Sequence, residues 1–283
     1  MLINKKTEIH GHRGCRGYYP ENTLPAFMYA LDLSVDAIEL DVVISKDNKV
    51  VVSHEPFMHY KKCLWPNLSP IIKAHQQNLY LYQMNYNEIK SFDCGLISHP
   101  DYPLAKPVSA YKPTLNEVIE QVENKIKLNN LPIQYNIEIK SDNLQIGYSQ
   151  PDYQTYTNLV LDVINYYKIS NRTIIQSFDK EILRCIAQVN KNIPLSLLIE
   201  DDIDPRKHLN ELGFIPQILG SDYIYLNLDK VKELQFMDVK IFAFTVNKLK
   251  HIQRMLDLGV DAIITDYPDV AIMARNSYKK SEK

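Results

Sequence analysis

The chain lacks an excess of charge of either sign. Its 283 residues hold 32 Lys and Arg against 34 Asp and Glu, a net charge of −2. Proteins whose main partner is a nucleic acid usually carry a basic footprint. That class is therefore not expected here, although a local basic pocket for one phosphate is compatible. Long hydrophobic runs are also missing. No stretch reaches the roughly 18 apolar residues of a membrane-spanning helix, so no integral membrane segment is expected. Residues 1–7 show neither the apolar core nor the cleavage site of a secretory signal, and the reading is a cytoplasmic protein. Cysteine is scarce. Cys15, Cys63, Cys94 and Cys185 are scattered, with no CxxC pair. They read as reduced, unpaired thiols rather than a disulfide frame or a zinc site. No internal repeat or low-complexity tract occurs.

What is present is enough apolar material for a sizeable core, 45% of the chain, in a length that suits one large domain or two small ones. Nineteen tyrosines read mainly as packing residues, some of them able to line a pocket that is part polar and part apolar. Short apolar runs at 8–12, 37–44, 133–140, 173–178, 194–199, 223–226, 240–246 and 261–265 read as strands. Helical stretches lie between them, at 23–33, 114–128, 156–167, 180–189, 205–212, 228–236 and 248–258, with a last one from Pro268. The apolar spacing of Leu159, Val160, Val163, Ile164 and Tyr167 is helical. Asn22 or Thr23 can cap the first helix, with Pro25 in its first turn, and Gly259 suits the end of the seventh. Eight alternating units predict an α/β fold, a (β/α)8 TIM barrel, occupying 1–283 as a single catalytic domain. An open doubly wound sheet would also alternate, but no GxGxxG phosphate loop occurs.

Lys49-Val50-Val51-Val52-Ser53 follows strand two after a four-residue turn, too short for a crossover, and reads as a hairpin arm. From 55 to 112 the chain loses periodicity. Structureless segments this long inside a barrel are usually functional, so 55–112 reads as an insertion between strand two and the following helix. It is expected over the barrel mouth, where active sites of this fold lie. Within it, His59, Trp65, Tyr80 and Tyr82 are candidates to shape a pocket. Residues 278–283 read as a frayed tail.

Chemistry-bearing residues gather at the strand ends. Glu39 and Asp41 are two apart in an apolar strand, so both point to one face. Two like charges buried together need a cation or strong donors, and a hard cation is the simplest compensation. Glu138 and Lys140 repeat the spacing, Glu138 as a third oxygen ligand and Lys140 as a phosphate neutraliser. A buried structural ion pair is the plain alternative. His12 and His54 suit a general acid and base, while His10, two residues deeper, reads as a possible core residue. Arg13 suits bidentate phosphate binding. Glu21 suits either a helix-start acid or a group orienting Arg13 or a histidine. Asp179 and Asp266 fit helix caps as well as ligands. Phe244 could pack in the core or against an apolar edge of a substrate. Together, two imidazoles, three carboxylates, an Arg and a Lys compose a divalent-metal site suited to a phosphate ester.

These blocks resemble the signature of the glycerophosphodiester phosphodiesterase family. The runs are His12-Arg13-Gly14, Pro20-Glu21-Asn22-Thr23, Ile38-Glu39-Leu40-Asp41-Val42, Ser45-Lys46-Asp47 and Val51-Val52-Ser53-His54-Glu55. Similarity continues at 136–140, 175–178, 244–247 and 261–268, essentially the whole barrel. The resemblance implies a (β/α)8 barrel with a family-type insertion matching 55–112. It implies His12 and His54 as the acid/base pair, with Glu39, Asp41 and Glu138 as ligands of Ca²⁺ or Mg²⁺. It implies Arg13 and Lys140 as phosphate contacts. The reaction it implies is hydrolysis of small-molecule glycerophosphodiesters, such as glycerophosphocholine and glycerophosphoethanolamine, to sn-glycerol 3-phosphate and an alcohol. The family often carries Trp before the Thr-Val-Asn block, where this chain has Phe244. Two alternatives stand: a sphingomyelinase D-like phospholipid lyase on the same barrel, and a non-catalytic phosphate-binding barrel. The preferred headgroup and the oligomeric state are left open.

Overall fold

Runs such as Ala37-Ile38-Glu39-Leu40-Asp41-Val42-Val43-Ile44 become strands because β-branched and aliphatic side chains fit a pleated, covered surface. The computed structural model describes residues 6–129, 132–201 and 204–278. The described strands are β1 (Glu8–Gly11), β2 (Ala37–Ile44), β3 (Val50–Val52), β4 (Gln134–Ile139), β5 (Thr173–Ser177), β6 (Leu195–Ile199), β7 (Ile218–Asp222), β8 (Lys240–Phe244) and β9 (Ala262–Thr265). Eight pair in parallel in the order β1-β9-β8-β7-β6-β5-β4-β2, and β1 pairs back onto β2 to close a TIM barrel. β3 pairs antiparallel with β2 as an arm. The described helices are α1 (Leu24–Asp32), α2 (Lys73–Gln76), α3 (Tyr86–Ile89), α4 (Leu115–Asn129), α5 (Tyr153–Tyr166), α6 (Lys180–Val189), α7 (Pro205–Leu212), α8 (Leu228–Phe236), α9 (Leu249–Leu258) and α10 (Pro268–Ser277).

Alternation along each stave divides the core in two. Ile38, Leu40, Ile137 and Ile175 join the main cluster with helix residues such as Ile182, Leu183 and Ile186 of α6. The intervening residues turn inward. Ile174, Ile218, Phe242, Ala262 and Ile264 form a small apolar plug, with fully buried His10 edge-on to Phe242 at 5.0 Å. Inward residues nearer the strand C-termini are polar, and these make the site.

Segment 55–112 has a core of its own, in which Met58, Ile71, Leu81 and Ile89 pack with Val43 and Val51 of the hairpin. Here the cysteine reading is corrected. Cys63 and Cys94 form a disulfide, while Cys15 and Cys185 are free. No CxxC-type spacing announces a pair 31 residues apart; the packing of this segment brings them together.

The seventh strand is corrected as well. It is β7, not 223–226. The alternating Tyr-Ile-Tyr-Leu run carries the stronger strand signal, but the stave is Ile218–Asp222, which contains Gly220. A Cβ at Gly220 would stand 2.4 Å from Leu198 Cδ2. Thr23 is the N-cap of α1 but makes no side-chain cap bond. Its hydroxyl donates to Pro20 O, and Asn22 is drawn off to Asp41. α9 does end on Gly259, at φ 74°, a left-handed conformation open to glycine. Of the expected tail, residues 279–283 lie outside the described residues.

Candidate active site

Strand register assembles the acidic residues. β2 and β4 are neighbours, with Asp41 opposite Glu138 and Glu39 opposite Asn136. Glu39 and Asp41 share a face by the two-residue repeat. The three carboxylates offer oxygens within 4.8 Å of one another, and all three are buried. Burial, with the charges of Asp41 and Glu138, raises Glu39 well above the usual carboxylate range. Burial likewise pushes Glu138 up to about 7, against the pull of Lys140, whose Nζ lies 2.6 Å from Glu138 Oε1. Burial would raise Asp41 too, but Arg13, His54 and Lys140 hold it below its usual range. Asp41 Oδ1 is buried without a hydrogen-bond partner. Three buried oxygen donors that repel one another, one with a vacant lone pair, fit a hard divalent cation.

His12 follows β1 directly. Its Nδ1 lies 2.6 Å from Asp266 Oδ1 and its Nε2 lies 4.0 Å from Glu39 Oε2. Asp266 also accepts from Arg16 Nε at 2.9 Å and from Asn247 Nδ2 at 2.6 Å. Burial and the Arg16 charge lower His12 to about 4 despite Asp266, so it is neutral at ordinary pH. Gly14, at φ 86°, lets this turn lie on α1, because a Cβ there would meet Ala26 at under 3 Å. His54 lies beyond the hairpin arm, with Nδ1 3.3 Å from Glu55 Oε1. His12, His54, Arg13, Glu39, Lys140 and Phe244 share one cavity of about 380 Å³ at the C-terminal ends of the strands.

Glu21 binds Arg13 Nη1 at 3.1 Å and Lys62 Nζ at 2.6 Å. It is thus an orienting partner of Arg13 rather than a helix-start acid. Arg13, buried between Glu21 and Asp41, is more committed to protein carboxylates than a free phosphate clamp would be. Phe244 is half-buried and edge-on to Phe178 at 6.0 Å. Asp179 caps α6. Asp266 is neither cap nor carboxylate-cluster member, since Tyr267 is the N-cap of α10 and Asp266 faces His12. Arg16 and Lys62 were not legible as site residues, and Asn247 stood only within the strand-end run 244–247. Arg16 stood three residues after Arg13, but nothing local marks a partner 250 positions away. His59, Trp65, Tyr80 and Tyr82 do not line this cavity or the one beside it. They pack within the segment and against the barrel.

Residues 12–270 match the model of the glycerophosphoryl diester phosphodiesterase family. The chain belongs to this family. A glycerophosphodiester phosphodiesterase of Bacillus altitudinis is 31% identical over 277 residues, covering 96% of this chain and all of the relative. The enzyme is thus of the glycerophosphodiester phosphodiesterase class. Among solved structures, a candidate glycerophosphoryl diester phosphodiesterase of Silicibacter pomeroyi superposes with a TM-score of 0.85 at 24% identity, covering 96% of this chain and 94% of the other. A phosphodiesterase of Oleispira antarctica, in complex with its product sn-glycerol-3-phosphate, superposes with a TM-score of 0.76 at 20% identity, covering 96% and 98%. At these identities the structural likeness speaks for the barrel alone. Among the described residues no helix is long and apolar enough to cross a membrane.

Proposed function

We propose that this enzyme hydrolyses glycerophosphodiesters such as glycerophosphocholine and glycerophosphoethanolamine to sn-glycerol 3-phosphate and an alcohol, through a Ca²⁺- or Mg²⁺-dependent site with His12 and His54 as the acid/base pair. The observation that carries this reading is the buried cluster of Glu39, Asp41 and Glu138, of which Glu39 and Glu138 line a cavity also lined by both imidazoles. The product found in the Oleispira antarctica structure supports the same substrate class.

Glu39, Asp41 and Glu138 would hold the cation. Bound there, it would act as a Lewis acid toward the phosphate and offset charge developing in the transition state. Arg13 and Lys140 border the same space and balance the phosphate's charge. With Nδ1 of His12 donating to Asp266, its Nε2 is left as an acceptor and takes the proton of the attacking hydroxyl, either of water directly or of glycerol, whose cyclic phosphate a water then opens to sn-glycerol 3-phosphate. His54, across the cavity, delivers a proton to the leaving alcohol oxygen. Phe244 and Phe178 offer an apolar wall to the glycerol carbons. Residues 1–283 act as one catalytic unit in this reading, with 55–112 over the mouth.

The test is incubation of the purified protein with glycerophosphocholine, with Ca²⁺ or Mg²⁺ and with EDTA. Free sn-glycerol 3-phosphate is expected with metal and none with chelator. A stable cyclic phosphate product would favour the lyase reading instead, and no turnover under any condition would favour a binding barrel.

A further inference from the structure

A second cavity opens beside His54, between the barrel mouth and segment 55–112. Five cationic side chains line it, Arg16, Lys61, Lys62, Lys106 and Lys112, against one carboxylate, Glu21. Arg16 and His54 line this cavity and the active-site cavity alike, so the two adjoin at the proposed acid.

The five cations are not equally neutralised. Arg16 is committed to Asp266, and Lys62 to Glu21 and Glu55. Lys112 is only 8% exposed, and its Nζ donates to a neutral hydroxyl, Ser53 Oγ, at 2.7 Å. A buried ammonium is costly, and the charges of Glu55, Glu21 and Asp41 offset that cost only in part. Burial accordingly lowers Lys112 from the usual lysine range. Lys61 and Lys106 stand exposed at the rim, neither paired with a carboxylate among the described residues.

The far wall of the active-site cavity has the opposite character. Phe178, Tyr223 and Phe244 stand there with Glu200 and Asp222. That wall suits carbon and hydroxyls and repels an anion. A phosphodiester has two alcohol arms, and the arm that leaves must lie next to the group that protonates it. His54 stands at the basic cavity.

We propose that the cavity lined by Lys61, Lys62, Lys106 and Lys112 is a subsite for the leaving alcohol, and that this alcohol carries an anionic group, a second phosphate or a carboxylate. The inference rests on the hydrolytic reading above and adds the substrate's charge to it. At about 50 Å³ the cavity takes a terminal group, with the rest of the alcohol held at the mouth.

The experiment compares kcat/KM of the metal-loaded enzyme on three glycerophosphodiesters with different leaving alcohols. These are glycerophosphocholine (cationic), glycerophosphoglycerol (neutral) and glycerophosphoglycerol phosphate (anionic). The anionic substrate is expected to be preferred over the cationic one by about tenfold at low salt, the preference shrinking as salt screens the charges. In the double variant Lys61→Gln/Lys106→Gln the anionic-to-cationic ratio should fall by roughly threefold to tenfold, the scale of one or two exposed charge contacts. Lys112→Met should lower it further. A folding defect would depress all three substrates together, and the double variant at the rim decides the matter if Lys112→Met does not fold. A wild-type ratio at or below one, or a ratio unmoved in the double variant, overturns the subsite. Absence of turnover on all three would instead overturn the hydrolytic reading.

Discussion

A single nitrogen atom carries much of the chemistry proposed here. With Nδ1 of His12 held 2.6 Å from Asp266, Nε2 alone faces the carboxylate cluster, and Asp266 is kept in place by Arg16 and Asn247. Asp266 thus acts through His12 as a positioning residue. In Asp266→Asn the side-chain amide can donate to Nδ1 and favour the wrong tautomer. The expected outcome is a fall in kcat of about 10²-fold or more with little change in KM, partly rescued by Asp266→Glu. A variant that raises KM and spares kcat would show Asp266 to be merely structural. His12→Ala and His54→Ala should each lower turnover by roughly 10²- to 10⁴-fold, read by steady-state kinetics. Near-normal rates in either would remove that imidazole from the acid/base pair. The period-two spacing made Glu39 and Asp41 legible from the sequence. Asp266 was visible only as one of several strand-end acids, because its partner lies 254 residues away.

Among elements, the segment that follows the hairpin arm packs on Val43 and Val51 and is also tied to α4 by polar bonds. Glu117 near the start of α4 accepts from Lys90 Nζ at 2.6 Å and from the Thr114 N–H at 2.9 Å, and bonds the Tyr86 hydroxyl of α3. Burial opposes its ionisation, yet the Lys90 and Tyr86 bonds bring it down from 4.5 to about 2. A carboxylate held below its unfolded value stabilises above that value, and the contribution is lost as pH falls through 4.5 toward 2. Trp65, the only tryptophan, packs on Phe92 in the same segment and reports the change. Its emission should shift to the red between about pH 4.5 and 2 in the wild type. Glu117→Gln should be less stable at pH 7 and vary less over that window. An unchanged acid transition in the variant would assign it to other carboxylates. The disulfide in this segment escaped sequence reading because its half-cystines meet only once the segment has packed on the hairpin.

For the molecule as a whole, closing the barrel forces three acids from two staves into one buried space. Without a cation this repulsion opposes folding. Saturating Ca²⁺ or Mg²⁺ should therefore raise the melting temperature, since about 2.7 kcal/mol accrues at a hundredfold excess over Kd. Glu39→Gln should melt no lower than the metal-free wild type while losing most of the metal-induced shift. A full shift retained in that variant, read by calorimetry or dye-monitored melting, would place the cation elsewhere. The overall plan was largely readable: seven of the eight expected staves overlap their observed strands, and the eight helices follow. Strand seven was displaced because Gly220 and its polar neighbours carry little local strand preference. They pair there because β6 and β8 present a register to them.

The order of amino acids by itself determined the alternation of strand and helix, the hairpin arm, and the inward pairs Glu39/Asp41 and Glu138/Lys140. Each follows from a repeat of two or 3.6 residues, a local property of the chain. Only the tertiary structure decided that Asp266 meets His12, that Arg13 lies between Glu21 and Asp41, that Cys63 finds Cys94, and that the exposed Lys61 and Lys106 stand beside His54. Those contacts join positions far apart in sequence, and no local preference encodes them. They exist because barrel closure and the packing of segment 55–112 bring distant loops to the same mouth.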